Sequence, residues 1–237
     1  MENGRVPGGR GAASPQGADD GKDHSRVAGA GPGNGEEADT ARRLIQAGRK
    51  LFATRGFDGT SVRALTAAAG TNLGAVTYHF ESKEELYRAV LNEVLGPVRE
   101  LAEMLRGMHF SAPQLLEFFI RGMFQNLRET PDLPRFFVQE VVLGEEPAPP
   151  ILETLRVVVT VLTGIIQEGQ SVGTLRAGDP VLLALSTLSQ PIYLSLMPRV
   201  LDREDLRAAG LPRPRTSPEE HAVDFVMKSL LAKEEME

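Results

Sequence analysis

The chain has 237 residues, 41% hydrophobic and 24% charged, proportions of a soluble globular protein long enough to bury a sizeable core. It contains no cysteine, which excludes a disulfide scaffold, thiolate zinc or iron–sulfur ligation and a cysteine nucleophile; its four histidines (His24, His79, His109, His221) are too scattered for a histidine metal motif. The formal net charge of −6 argues against a nucleic-acid binder held by bulk charge, although that charge is unevenly spread.

Residues 1–37 are dominated by small and polar side chains, with Val6 and Val27 almost the only larger apolar ones. Such a segment cannot bury enough surface to offset its ordering entropy, and it reads as a disordered tail. Its glycines are followed by no Gly-Lys-Ser/Thr and fit no GxGxxG spacing, so a phosphate loop is excluded. Met1 to Arg10 hold no apolar run of the kind a secretion signal requires.

From Ala38 the pattern becomes helical. Leu44, Ala47, Gly48, Leu51 and Phe52 make one apolar stripe and predict a helix over 39–55, capped by Asp39 or Thr40. Gly56 supplies the left-handed stop, and Phe57 folds back on Phe52. A second helix is expected over 61–69, capped by Thr60 or Ser61, with Val62, Leu65 and Ala69 inward and Gly70 ending it. Asn72 is the expected cap of a third over 73–79, with Val76 and Phe80 inward. Two short helices joined by Ala69-Gly70-Thr71-Asn72 form the pattern of a helix-turn-helix. Ser82-Lys83-Glu84-Glu85 then opens a helix over 82–106 as a capping box, with Leu86, Val90, Val94, Val98, Leu101 and Leu105 inward. Gly96-Pro97 predicts a bend or short break in it.

The remainder also reads as helices: 113–129, 135–144 after a turn at Pro131 to Pro134, 151–170 after a loop at 145–150, and 180–199 with a kink at Pro191. A polar loop over 202–217 leads to a last helix running to about 233, with Val223, Val226, Leu230 and Leu231 inward. Val181 to Met197 is uncharged but carries Ser186, Thr187, Ser189, Gln190, Pro191 and Ser195, and it falls short of the ~20 apolar residues of a spanning helix. It is read as buried at a core or subunit interface, and no membrane association is expected. The fold class is all-α: a tail over 1–37, a three-helix helix-turn-helix domain over 38–81, and a larger helical body over 82–237 whose first helix, 82–106, is the connector.

Ala41–Glu100 resembles the DNA-binding region of the TetR/AcrR family of bacterial transcriptional regulators. The matching text is Leu44-Ile45-Gln46-Ala47-Gly48-Arg49-Lys50-Leu51-Phe52, Gly56-Phe57, Thr60-Ser61-Val62-Arg63, Ala69-Gly70 and Tyr78-His79-Phe80-Glu81-Ser82-Lys83-Glu84-Glu85-Leu86, in order and at the right spacing. The wording from Asn72 to Phe80 is similar to the subgroup of CerR-type regulators, often linked with efflux or stress genes. The resemblance implies that the third helix lies in the major groove and offers Thr71, Asn72, Leu73, Gly74, Ala75 and Thr77 to base edges. Arg63 matches a position that reaches a base, with guanine its natural partner. Thr60, Ser61, Tyr78, His79 and Lys83 match positions that grip phosphates. The chain departs from the family at Thr71, Leu73 and Arg49, which leaves the operator sequence open. Charge agrees with the assignment: residues 38–95 hold eight Lys/Arg against six Asp/Glu, whereas 1–37 hold four against six and 96–237 hold fourteen against twenty. Such a weakly basic unit needs dimerisation to double its phosphate contacts.

The family packs its late helices against a partner's, and 151–170 and 180–199 are apolar enough for that role here. Phe118, Phe119, Met123, Phe136, Phe137, Val141, Tyr193 and Met197 are the candidates to line an apolar effector pocket, with Gln139, Glu140 and Gln190 as polar fixtures. The expected protein is therefore a cytoplasmic, homodimeric regulator, a repressor released from a palindromic double-stranded operator by an apolar small molecule. It needs no cofactor and no metal. A ligand-independent DNA-binding or interaction protein with a solid helical core is the alternative. A helical enzyme has the least support, because no paired carboxylates, activated nucleophile or cofactor loop is visible and Glu145-Glu146 lies in a Pro-rich loop.

Overall fold

The computed structural model describes residues 33–144, 146–210 and 212–232. The tail expected over 1–37 lies outside the described residues up to position 32; its last residues are helical. Helix α1 runs Gly33–Arg55 rather than starting at 39. The extension is supported locally: Asp39 pairs with Arg42 and Arg43 instead of capping, Thr40 Oγ1 donates back to the Glu36 carbonyl at 2.9 Å, and the early acids suit the positive end of the helix dipole. The expected stop is present at the other end. Gly56 has φ +72, its N–H donates to the Phe52 carbonyl at 2.9 Å, and the Phe52 and Phe57 rings stack 6.1 Å apart.

Helices α2 (Val62–Ala69) and α3 (Gly74–Phe80) follow, joined by a turn at Gly70, which has φ 63. Arg43 Nη1 donates to the Ala69 carbonyl at 3.3 Å, placing a cation at the negative end of α2. Leu44, Phe52, Leu65, Ala69, Val76, Leu86 and Val90 are buried together, so α1–α3 and the start of α4 share one small core.

Helix α4 is a single span, Lys83–Arg106, with Pro97 inside it. The break expected at Gly96-Pro97 does not occur. Proline removes one backbone bond, but Val94, Leu95, Val98 and Leu101 on both sides are buried against α5 and α7, and Asn126 Nδ2 donates to the Pro97 carbonyl at 3.2 Å. Only half of the expected capping box forms: Ser82 Oγ accepts from the Glu85 N–H at 3.1 Å, while the Glu85 carboxylate pairs with Arg88.

The body continues with α5 (Ala112–Glu129), α6 (Leu133–Phe137) running on as a π-helical turn over Val138–Val142, α7 (Pro149–Ser171), α8 (Pro180–Leu201), α9 (Glu204–Ala208) and α10 (Pro218–Leu230). The expected 135–144 helix is thus shifted and changes hydrogen-bond pattern midway, α7 takes in Pro149 and Pro150, and the expected 202–217 loop contains α9. Asp179 caps α8 by accepting from Val181 and Leu182 N–H, and α8 is one helix across Pro191 and Pro198. Ser217 and Glu220 form a complete capping box at α10. Leu231, expected inward, is exposed and pairs as an isolated bridge with Leu175.

Helices α4, α5, α7, α8 and α10 pack as the bundle. Two of its segments, Pro149–Ser171 and Pro180–Pro198, are long and apolar enough to cross a membrane, with mean hydropathies of 1.6 and 1.3. α7 packs against α4, α5 and α8. α8 is different: Val181, Leu182, Leu185, Tyr193 and Val200 are exposed.

Candidate nucleic-acid interface

Helix α3 has only seven residues, so its two faces are sharply divided. Ala75 and Val76 are buried, which turns Leu73, Gly74, Thr77 and Tyr78 outward; Leu73 is 59% and Tyr78 69% exposed. Ala75, expected at a base edge, therefore belongs to the core. The helical period, with Ala75 beside Val76 on the inner face, is the reason. Asn72 is not the side-chain cap expected of it: α3 starts from Leu73 with no capping side chain, and only the Asn72 carbonyl takes part, accepting from Ala75 N–H at 3.1 Å. The Asn72 carboxamide is exposed and has no hydrogen-bond partner among the described residues, so it is free for a base edge. Thr71 is half-buried at the turn, its N–H donating to the Thr66 carbonyl at 2.9 Å.

On α2, Arg63 is exposed with no ion pair among the described residues. Ser61 caps α2 by accepting from the Ala64 N–H at 3.2 Å, which leaves its hydroxyl proton available. Two of the expected phosphate contacts are otherwise engaged. Thr60 is fully buried and its hydroxyl donates to the Gly56 carbonyl at 2.8 Å. Lys83 turns inward: its Nζ donates to the Phe57 and Thr60 carbonyls at 3.1 and 3.2 Å and sits 3.9 Å from the Phe57 ring centroid. It ties the α1–α2 loop to the start of α4. The Phe57 carbonyl also accepts from the Thr60 N–H at 3.2 Å, so Lys83 adds a cation to a loop that is already turned, and local sequence pattern carries no signal for which loop it meets.

Tyr78 and His79 rings meet edge-on at 4.9 Å, with His79 half-buried. The Tyr78 hydroxyl donates to Glu37 Oε1 at 2.9 Å. That hydrogen bond, followed by the nearby negative charge, raises the phenol's pKa above its ordinary value. Glu37 was assigned to the tail and missed by sequence reasoning, because only the extended α1 brings it beside α3.

Besides the core it shares with α4, polar contacts tie this unit and the start of α4 to the rest of the body. Arg49 pairs with Asp132 at 3.6 Å, Gln139 Nε2 donates to the Ala53 carbonyl at 3.3 Å, and the Tyr87 hydroxyl donates to Glu140 Oε1 at 2.5 Å. Glu140 Oε2 also accepts from the Ala148 N–H at 2.7 Å. Burial first, then the bond to Glu140, drives the Tyr87 phenol far above its ordinary pKa.

The expected effector pocket does not assemble. Phe119 and Phe136 are solid core, Phe118, Val141 and Tyr193 are exposed, and Glu140 is held by Tyr87 and Ala148. Gln139 and Glu140 border an open cleft beside the α1–α2 loop, Gln190 is half-buried on α8, and Met197 lies at the far end of α8. Only Met123 and Phe137 share an apolar interior void, and at about 30 Å³ it holds little more than a water molecule. Interior side chains close-pack wherever they can, so the apolar residues that helix phase turns inward, such as Phe119 and Phe136, fill the core rather than line a space. Among the described residues, no cluster of His, Asp or Glu could hold a metal ion.

An all-α chain whose three amino-terminal helices display a helix-turn-helix on one face has the architecture of a DNA-binding regulator. The model of bacterial regulatory proteins of the tetR family matches residues 44–90. The chain is 34% identical over 73 residues to the transcriptional repressor AcnR of Corynebacterium efficiens, covering 28% of this chain and 39% of AcnR. It is 28% identical over 118 residues to the transcriptional regulator RutR of Escherichia coli, covering 48% of this chain and 52% of RutR. The chain thus spans about half or less of the length of these curated relatives. Its fold is that of a tetR-family regulatory protein from Rhodococcus RHA1, with a TM-score of 0.64 at 21% identity over 82% of this chain and 98% of that one. Over residues 44–90 the chain thus matches the DNA-binding region of the tetR family, and its fold as a whole is that of such proteins.

Proposed function

We propose that this protein is a cytoplasmic transcriptional repressor that binds a palindromic operator as a homodimer and is released by a small-molecule effector. Regulators of the tetR family bind DNA as dimers and answer to such effectors, and the curated relatives are transcriptional regulators rather than enzymes. The observation that carries the reading is the outward face of α3, where Leu73, Gly74, Thr77 and Tyr78 stand clear of the core beside an unengaged Asn72 and an unpaired Arg63. In the complex, Asn72, Leu73, Gly74 and Thr77 meet base edges with Arg63 on a guanine, Thr71 borders them, and Ser61, Tyr78 and His79 hold phosphates. Two such faces, one helical turn apart (about 34–36 Å), read two half-sites. The exposed apolar side chains of α8, with Phe225 on the adjacent α10, support a dimer through those helices. Effector and operator oppose each other through α4, which shares its core with the reading head and carries Tyr87 to the body.

The test is a gel-shift titration of DNA flanking the protein's own gene at two salt concentrations, followed by selection from random sequence. Saturable, salt-sensitive binding to one palindrome is expected. Arg63→Ala should lose about 1–3 kcal/mol and relax preference at one position of each half-site. A folded protein that selects no sequence from the random pool overturns the reading.

A further inference from the structure

The end of α8 and the chain leading into α10 enclose a groove of about 510 Å³ outside the bundle core. That volume is in the range of small-molecule sites, unlike the interior void. Its lining has two chemistries. Leu194, Met197 and Leu201 are half-buried and apolar; Arg213 and Arg215 are exposed and cationic, with an exposed His221 in the same lining. The acid in the lining, Asp202, is already neutralised by Arg207 at 2.8 Å, and nearby Arg203 is held by Asp205. Arg213 and Arg215, in contrast, have no hydrogen bond or ion pair among the described residues, although every arginine around them that does pair finds a carboxylate within a few residues. Pro212, Pro214 and Pro218 flank the two arginines and restrict the backbone that presents them, lowering the entropy lost on binding.

We propose that this groove binds an amphipathic organic anion. Its hydrocarbon body lies against Leu194, Met197 and Leu201, and its carboxylate or phosphate is held by the guanidinium groups of Arg213 and Arg215, whose planar forks suit both head groups. Charge complementarity selects the anion: the free charges of the lining are positive and its acid is already paired. The binding claim does not depend on the regulator reading, since no DNA enters the argument or its test.

The full chain is titrated calorimetrically with decanoate, decyl phosphate and decan-1-ol, all below their aggregation concentrations. Saturable binding of the anions at one per chain is expected, with the alcohol at least about ten-fold weaker, the loss of a charge-assisted contact. The Arg213→Ala/Arg215→Ala double variant should weaken both anions to the level of the alcohol at an unchanged melting temperature, and the corresponding double lysine variant should recover part of the affinity. Met197→Gln should weaken alcohol and anions alike. The relative affinity of the two anions identifies the head group. The proposal is overturned if the alcohol binds as well as the anions, if the double alanine variant binds them undiminished, or if no saturable binding occurs.

Discussion

At Tyr78 a single hydrogen bond joins two segments with opposite tendencies toward DNA. The phenol donates to Glu37 at 2.9 Å, and a phosphate would need the same proton. An acid at this point also repels the duplex. Glu37→Gln is therefore expected to raise operator affinity, by up to about five-fold for an exposed charge, whereas Tyr78→Phe should lower it. Paired gel-shift titrations at low salt decide the matter; equal affinity for Glu37→Gln and the parent would show that the bond carries no inhibition. Lys83 makes the opposite point. It matches a phosphate-gripping position, yet it lies over the Phe57 ring and bonds two loop carbonyls. Lys83→Met should cost about 1–3 kcal/mol of stability by leaving those carbonyls without their cation, while Arg63→Met leaves stability unchanged and weakens DNA binding. Urea unfolding beside the gel shift separates the two roles.

Among the elements, the joins are more demanding than the helices. Between α3 and α4, Ser82 N–H donates to the Phe80 carbonyl at 2.7 Å across Glu81, whose φ is 65 and ψ −45. This is a γ-turn of the strained hand, on a residue with a side chain. Glu81→Gly should stabilise the protein by about 0.5–1 kcal/mol, relief of strain outweighing the extra freedom of the unfolded chain. A fall in the urea midpoint would contradict that. Gly169, in α7, is fixed by space rather than by conformation. A β-carbon there would lie 2.7 Å from the Ala112 β-carbon and 2.6 Å from Leu175. The Ala112 atom is tied directly to its backbone and cannot swing away, so Gly169→Ala should lose about 1–3 kcal/mol to overpacking, measured in the same way.

At the scale of the whole molecule, the Tyr87–Glu140 bond is one of the contacts that tie α4 to the segment over 138–142. The Tyr87 hydroxyl is neutral in the fold and its ionisation is pushed well up, chiefly by burial. A group whose pKa is raised on folding gives stability that is complete below its unfolded value near 10 and is lost as pH rises beyond it. Stability should therefore stay level up to about pH 10 on this account and fall above it, and Tyr87→Phe should flatten that alkaline limb in urea titrations between pH 8 and 11. The second property at this scale is assembly. Leu182 and Phe225 are exposed on two helices that pack against each other. The Leu182→Glu/Phe225→Glu variant should sediment as a monomer with an intact circular dichroism spectrum and bind the palindrome with reduced affinity; a parent that sediments as a monomer would end the dimer reading.

Much of this was legible in the sequence because it is local. Apolar spacing, Gly56 and Gly70 with positive φ, and the caps at Ser61, Ser82, Asp179 and Ser217 act over a few residues, so they placed most helices and the helix-turn-helix. Helix phase also separated Val76 from Tyr78, and the family resemblance marked the outward face of α3 that we propose meets DNA. The rest depended on contacts between distant segments. Whether proline breaks a helix was decided for α4 by the bundle on either side of Pro97, and the reach of α1 back to Gly33 by ion pairs and by Tyr78. The orientation of Lys83 and the burial of Ala75 and Thr60 were set by which loop and which core they met. The effector pocket was the least readable feature, because periodicity identifies the side chains that leave water without indicating whether they close on one another or leave a space, and in this bundle they close.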